Sequence, residues 1–219
     1  MKTKGIVGII LMSFIAAFVT HVSIKHSRQI ASMLLPASTV YEAKPTWYTS
    51  QTKFEELTWE MLLPEHEYEL ISRYQQGEAK TVSDFTSQIL NSIESASDKE
   101  YQQAMISVNT VDTFAEQRVS ISGFIVPIDF YPNKDLQNVF LVPYFGACLH
   151  FPPPPPNQMI FIQLAQGFGD FDIGQAYTVK GKLKVELFED FIGTSAYSLE
   201  PSSIKTYSGE PDTFRTHAR

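Results

Sequence analysis

The sequence predicts an α+β protein: an N-terminal signal or anchor and a helical arm, followed by a five-stranded β-barrel of the OB type. Three observations predict it. Apolar residues recur at helical spacing before residue 115 and at two-residue spacing after it. Five strand-like runs then follow within about 90 residues, with no regular helix between them, which favours a small curled sheet. Finally, 219 residues, 43% of them hydrophobic, supply one main core but not two large ones.

The elements follow in chain order. Lys2 and Lys4 precede an uncharged run at 5–19 (GIVGIILMSFIAAFV), the pattern of an export signal. Residues 20–24 extend it to about 20, the length of a membrane span. Residues 1–24 are therefore a cleaved signal peptide or an uncleaved signal anchor. The lack of a clean A-x-A site favours the anchor, and Lys25 and Arg28 on the far side weaken the orientation signal. Either way the body is expected outside the cytoplasm. Residues 25–53, polar and carrying Pro36 and Pro45, read as a linker.

Residues 54–114 read as the helical arm. Trp59, Met61, Leu62 and Leu63, just before Pro64, form an apolar knot expected to dock on the main body. Tyr68, Leu70, Ile71 and Tyr74 share one face of a short helix ending near Gly77. Val82, Phe85, Ile89, Leu90 and Ile93 predict a second helix with Ser83 as its cap, broken at 95–99.

Residues 115–208 read as the barrel. Runs at 118–126, 139–142, 157–164, 176–187 and 196–207 are its strands. In the fourth, Val179, Gly181, Leu183, Val185 and Leu187 point one way and Lys180, Lys182, Lys184 and Glu186 the other, so one face is buried. Gly123, Gly174 and Gly181 suit bends or bulges. Residues 209–219 read as a flexible tail.

Charge narrows the function. The net charge is −7, and residues 1–30 hold four cations (Lys2, Lys4, Lys25, Arg28) and no acid, leaving 13 basic against 24 acidic residues in the body. Such a body repels nucleic acid and anionic surfaces and tolerates basic partners. Lys180, Lys182 and Lys184 form one basic strand face, a solvated exterior rather than a nucleic-acid groove. The sequence shows no G-x-S-x-G, P-loop or H-E-x-x-H pattern. GFGDFDIG at 167–174 resembles a turn and lacks the twelve-residue calcium pattern.

The most unusual stretch is LVPYFGACLHFPPPPPNQ at 141–158. It holds the single cysteine, Cys148, with His150 two residues on, then Pro152, Pro153, Pro154, Pro155 and Pro156. Such a run is expected to be an extended polyproline segment on the surface.

These residues carry a resemblance. ISGFIVPIDF at 121–130, FLVPYFGACLHFPPPPPNQ at 140–158, the V-K-G-K-L strand at 179–183 and W-E-M-L-L-P at 59–64 resemble a domain-of-unknown-function family of exported proteobacterial proteins. That family bears a P-Y-x-G-A-C-x-H-x-P-P-P-P-x-N-Q signature, and the similarity spans roughly residues 55–207. The resemblance implies an OB-like periplasmic protein associated with an inner-membrane ABC transporter, in some cases with zinc-responsive genes. Unlike members that are lipoproteins, this chain has no lipobox cysteine.

Three chemistries suit the motif. As a metal site, Cys148 and His150 emerge on one face of an extended strand and suit zinc or copper. Two ligands are too few for a closed zinc site, so His66, Glu65, Glu67 or Asp129 would have to complete it by residue type. The stronger reading of the pair is structural: Cys148 as a small buried apolar residue, with His150 making a hydrogen bond that fixes the proline loop. As a thiol enzyme, His150 would have to activate Cys148, yet catalytic partners usually converge from separate segments, and no C-x-x-C is present. As a recognition surface, the stiff prolines are flanked by Tyr144, Phe145 and Phe151, with Phe168 and Phe171 as further candidates. Asn157 and Gln158 are expected to hydrogen-bond loop backbone.

The expected function is a non-enzymatic periplasmic accessory or binding protein, anchored to the inner membrane if its signal stays uncleaved. It presents residues 148–156 to a transporter, another protein partner or a ligand. The alternative is a zinc- or copper-binding carrier using Cys148 and His150.

Overall fold

Thirteen-residue strands in a small domain must bend, and two of them close this barrel. The structure is a computed structural model describing residues 39–49, 51–74, 82–145, 147, 154–169, 171–209 and 211. The signal or anchor expected at 1–24 lies outside those residues. Among the described residues, no helix is long and apolar enough to cross a membrane.

The strands are β1 (Thr39–Glu42), β2 (Glu55–Glu56), β3 (Arg118–Phe130), β4 (Leu136–Val142), β5 (Ile160–Phe168), β6 (Ala176–Glu189) and β7 (Thr194–Thr206). The first half of β3 pairs antiparallel with β6 and the second half with β4. β4 pairs with β5, β5 runs parallel to β7, and β7 returns antiparallel to β6. The circuit β3–β4–β5–β7–β6–β3 is a closed five-stranded barrel, as the sequence predicts. Two short strands unannounced by the periodicity lengthen it: β1 adds antiparallel to β7 and β2 parallel to β3.

The inner face holds Val119, Ile121, Ile125, Ile160, Val179 and Leu183, all buried. Their two-residue spacing is why these runs are strands. Phe124 marks the crossing point on β3, pairing with both Val142 and Ala176. Its neighbour Gly123 can only be glycine: an added Cβ would lie 2.6 Å from the Val142 carbonyl oxygen and 2.9 Å from the Trp59 ring. Gly181 sits at a register shift in the β6–β7 pairing, pressed against Leu199 and the Glu200 carbonyl.

The arm is built into the barrel. A 3-10 turn, Trp59–Leu62, buries Trp59 and Leu62 in the barrel core, and the Trp59 indole N–H donates to the Ser122 carbonyl (2.8 Å). Met61 instead faces solvent. The helices are α1 (Glu65–Tyr74), α2 (Val82–Ser97) and α3 (Lys99–Ala104). Leu63, Leu70, Ile71 and Ala104 make a small satellite core between α1 and α3. The break expected at 95–99 is Asp98, whose carboxylate caps α3 by accepting from the Glu100 and Tyr101 amides. The Tyr101 amide and the Tyr74 hydroxyl hold that carboxyl below its ordinary range. Ser83 lies inside α2 rather than capping it.

Two further sequence expectations need correction. Val185 and Leu187 continue the inward alternation of β6 but are exposed, because the β6–β7 hairpin runs on past the barrel wall. Asn157 and Gln158 do not open β5: with Pro156 they form a 3-10 turn, proline occupying its first position, where no backbone N–H is needed.

Candidate functional site

The motif is the connection between β4 and β5, whose pairing ends at Leu141 and Ile160. Cys148, His150, Phe151, Pro152 and Pro153 lie outside the described residues. On the N-terminal side, Pro143 and Ala147 are buried, Tyr144 is half-buried, and Phe145 is 54% exposed. On the C-terminal side the expected surface ribbon is not found. Pro154 and Pro155 are buried, and only Pro156 is half-exposed. The physical reason is the turn that follows, which is drawn inward by buried hydrogen bonds.

Those bonds centre on Glu67 of α1. Its buried carboxylate accepts from Ser107 Oγ, Asn109 Nδ2 and Asn157 Nδ2, each at 2.6 Å. Asn157 Nδ2 also donates to the Asn109 carbonyl (3.0 Å), and Gln158 Nε2 donates to the Trp59 carbonyl (2.8 Å). Asn157 and Gln158 therefore do hydrogen-bond backbone, but across the molecule to the arm. A buried charge survives only when its lone pairs are occupied, and here three donors occupy them. Glu67 was discernible as an acid standing among Leu70, Ile71 and Tyr74 on the apolar stripe of its helix. Nothing local in the sequence announces Ser107 and Asn109.

Tyr197 of β7 supplies a second cross-link. Its hydroxyl donates to the Leu62 carbonyl (2.9 Å) and accepts from the Val111 amide (2.7 Å). Burial pushes its phenol up to about 12, against the pull of the Val111 amide. In the unfolded chain a tyrosine titrates near 10, so between about pH 10 and 12 the folded state keeps a proton that the unfolded state has released. The stabilisation is complete below about pH 10 and is lost as pH rises to about 12. Burial also raises Tyr41 and Tyr177. Tyr197→Phe is expected to flatten, not abolish, the fall in urea-unfolding stability above pH 10. An unchanged slope would mean that this phenol ionises freely in the folded protein.

The opposite side of the motif faces an apolar layer on the outside of the barrel. Phe124, Val126 and Ile128 of β3, Phe140 and Val142 of β4, and Phe161 of β5 point away from the main core and pack together with Ala147, Met159, Tyr144 and Phe188. Phe161 and Phe188 stack at 3.7 Å and 14°, with Phe140 edge-on to both. Phe145 lies edge-to-face on Phe124 at 5.8 Å. Of the aromatics proposed for a contact patch, Tyr144 and Phe145 belong here. Phe168 does not: it is buried in the main core, with Phe171 packed against it. Phe124, Phe161 and Phe188 were missed as members of this patch. Phe124 and Phe161 lie in strands whose other face is already apolar, so period-two reading assigns them to solvent.

For metal chemistry, no group of three or more His, Cys, Asp or Glu is placed to hold an ion among the described residues. Of the supplementary ligands considered, Glu67 is occupied as above, Asp129 accepts from Asn138 Nδ2 (2.9 Å), and Glu65 and His66 are exposed on α1.

Residues 59–206 match the family described as "Protein of unknown function (DUF3299)". The chain belongs to the DUF3299 family. A DUF3299 family protein from Pseudomonas aeruginosa PAO1, known from its crystal structure, is similar to this DUF3299 chain at 26% identity and a TM-score of 0.50. The similarity covers 71% of this chain and 97% of that one. No curated protein matches the chain. The DUF3299 match opens on Trp59, the tryptophan that plugs the barrel, and closes on Thr206, the last residue of β7. Arm and barrel are thus one family unit, consistent with the buried bonds that join them.

Proposed function

We propose that this DUF3299 protein is a non-enzymatic accessory or binding protein of the periplasm that serves an inner-membrane ABC transport system, with the β4–β5 connection as its contact surface. The periplasmic and transport setting comes from the resemblance carried by the 140–158 motif and from the export-like pattern at 1–24. The observation that carries the binding reading is the aromatic layer on the outer wall of β3, β4 and β5, topped by the exposed Phe145. The layer itself is packed, with Phe140, Val142, Ala147 and Met159 buried, and Phe145 stands exposed at its edge, where a large aromatic side chain is available to a partner. Aromatic anchors held by their neighbours bind at low entropic cost.

Tagged full-length protein, solubilised from membranes of its producing cell in mild detergent, is expected to retain a transporter component. Phe145→Ser is expected to lose that component while the protein stays folded, with the small drop in unfolding midpoint that losing the Phe124 contact brings. A partner retained by Phe145→Ser would remove the loop from the interface. Recovery of the chain from the cytoplasmic fraction would remove the periplasmic setting.

A further inference from the structure

We propose that the tip of the β6–β7 hairpin, residues 185–192, is a docking element for a protein that offers an apolar recess rimmed by lysine or arginine. The inference rests on the binding-protein reading and concerns the hairpin apex rather than the motif loop; Phe188, at the base of the apex, also belongs to the aromatic layer beside that loop.

The tip is rigid. The Asp190 amide donates to the Gly193 carbonyl (2.9 Å) and the Gly193 amide returns to Asp190 (3.2 Å), while Asp190 Oδ1 accepts from the Ile192 amide (3.0 Å). Behind it, Phe188 stacks on Phe161, and Gly193 is pressed against Met159, so the hairpin is clamped to the barrel wall. The two residues at the apex are Phe191 and Ile192, where turn chemistry favours Asn, Asp or Gly. Phe191 is fully exposed, Ile192 is 42% exposed, and Leu187 below them is 54% exposed. Neither apex residue has the positive φ that a primed turn demands, since Glu116 and Lys134 are the non-glycine residues with it among those described. The turn itself therefore makes no demand for these side chains, and a bare aromatic on a braced apex is suited to fill a pocket.

Charge selects the occupant. Glu186, Glu189 and Asp190 alternate with the apolar residues along the hairpin, Glu186 accepting from Ser198 Oγ and Asp190 from the Ile192 amide, and no cation occurs between residues 185 and 199. Three carboxylates repel an anionic lipid surface, so a bilayer is disfavoured. The Lys180–Lys184 face of a second copy is partly engaged within its own chain: Lys182 pairs with Glu116, Lys184 lies 3.7 Å from Glu200, and Lys180 lies over the Phe54 ring. A cationic rim on another protein meets the acids and steers its recess onto Phe191.

The test places a photo-crosslinking phenylalanine analogue at position 191 of the full-length chain in its producing cell. The expected product is an adduct with one other protein, attached at an apolar segment flanked by lysine or arginine. The purified pair should lose affinity roughly thirtyfold on Phe191→Ser, as for an interface hot spot. It should also weaken on Glu189→Lys with Asp190→Lys, and as salt is raised. Adducts with lipid, adducts with a second copy, no adduct, or affinity indifferent to both variants would each overturn the inference. If Phe145→Ser abolishes the complex and the hairpin variants do not, the motif loop stands and this inference falls. The reverse pattern retains the hairpin and removes the loop.

Discussion

Glu67→Ala is expected to lower the stability of the fold by about 3–5 kcal/mol, since each neutral donor left unsatisfied in the interior costs about 1–3 kcal/mol and the three can re-pair only in part. The carboxylate is the shared acceptor for Ser107, Asn109 and Asn157, and its removal leaves three donors with nothing to bond. Asn157→Ala should cost less, since it removes one of those donors and leaves the acceptor with two. In a double-mutant cycle by urea denaturation, Glu67 and Asn157 should show a coupling of about 1.5–3 kcal/mol, the range for hydrogen bonds to a charged group. A coupling near zero would mean that the contact is not energetic and that the turn after the prolines is held by packing alone. Because Asn157 lies in the last turn of the motif and Glu67 lies on α1, the same pair should govern how far the arm yields to protease.

Trp59→Ala is expected to cost about 3–5 kcal/mol, the range for removing a large aromatic from a core. Trp59 is buried among barrel residues, and its indole also satisfies the Ser122 carbonyl. The cavity has little means of collapse, because the wall it touches is the Gly123 crossing, where the strand contributes no side chain. Trp59→Phe should cost appreciably less, retaining most of the apolar area but not the donor. Unfolding followed by circular dichroism separates these cases. A loss under about 1 kcal/mol for Trp59→Ala would refute the plug and leave the arm as an appendage.

Much of the fold could be read along the chain because the barrel writes its inner face as a simple alternation. Val179, Gly181 and Leu183 are buried where the period predicts, and the break before α3 falls at an acid able to cap it. The period misled where a strand outran its barrel: Val185 and Leu187 keep the rhythm with no core left to enter. It also misled where both faces of a strand were apolar, as at Phe124 and Phe161. There the alternation cannot tell a second packed layer from solvent. The proline motif marked the unusual β4–β5 connection, but composition gave the wrong account of its C-terminal end. Five prolines suggest an exposed ribbon, whereas Pro154 and Pro155 are buried beside two amides that bond to the arm.

By itself, the sequence determined the α+β class, the five barrel strands, the arm ahead of them and the position of the unusual loop. Each of these follows from local spacing and backbone chemistry, which a chain carries wherever it goes. The tertiary structure alone decided that Glu67 meets Asn157 across 90 positions, that Trp59 plugs the barrel, and that Phe188 stacks on Phe161 beneath a projecting hairpin. Those partners share no sequence period. They meet because a closed sheet brings distant segments to one point, and a buried carboxylate or aromatic must be satisfied by whatever lies there.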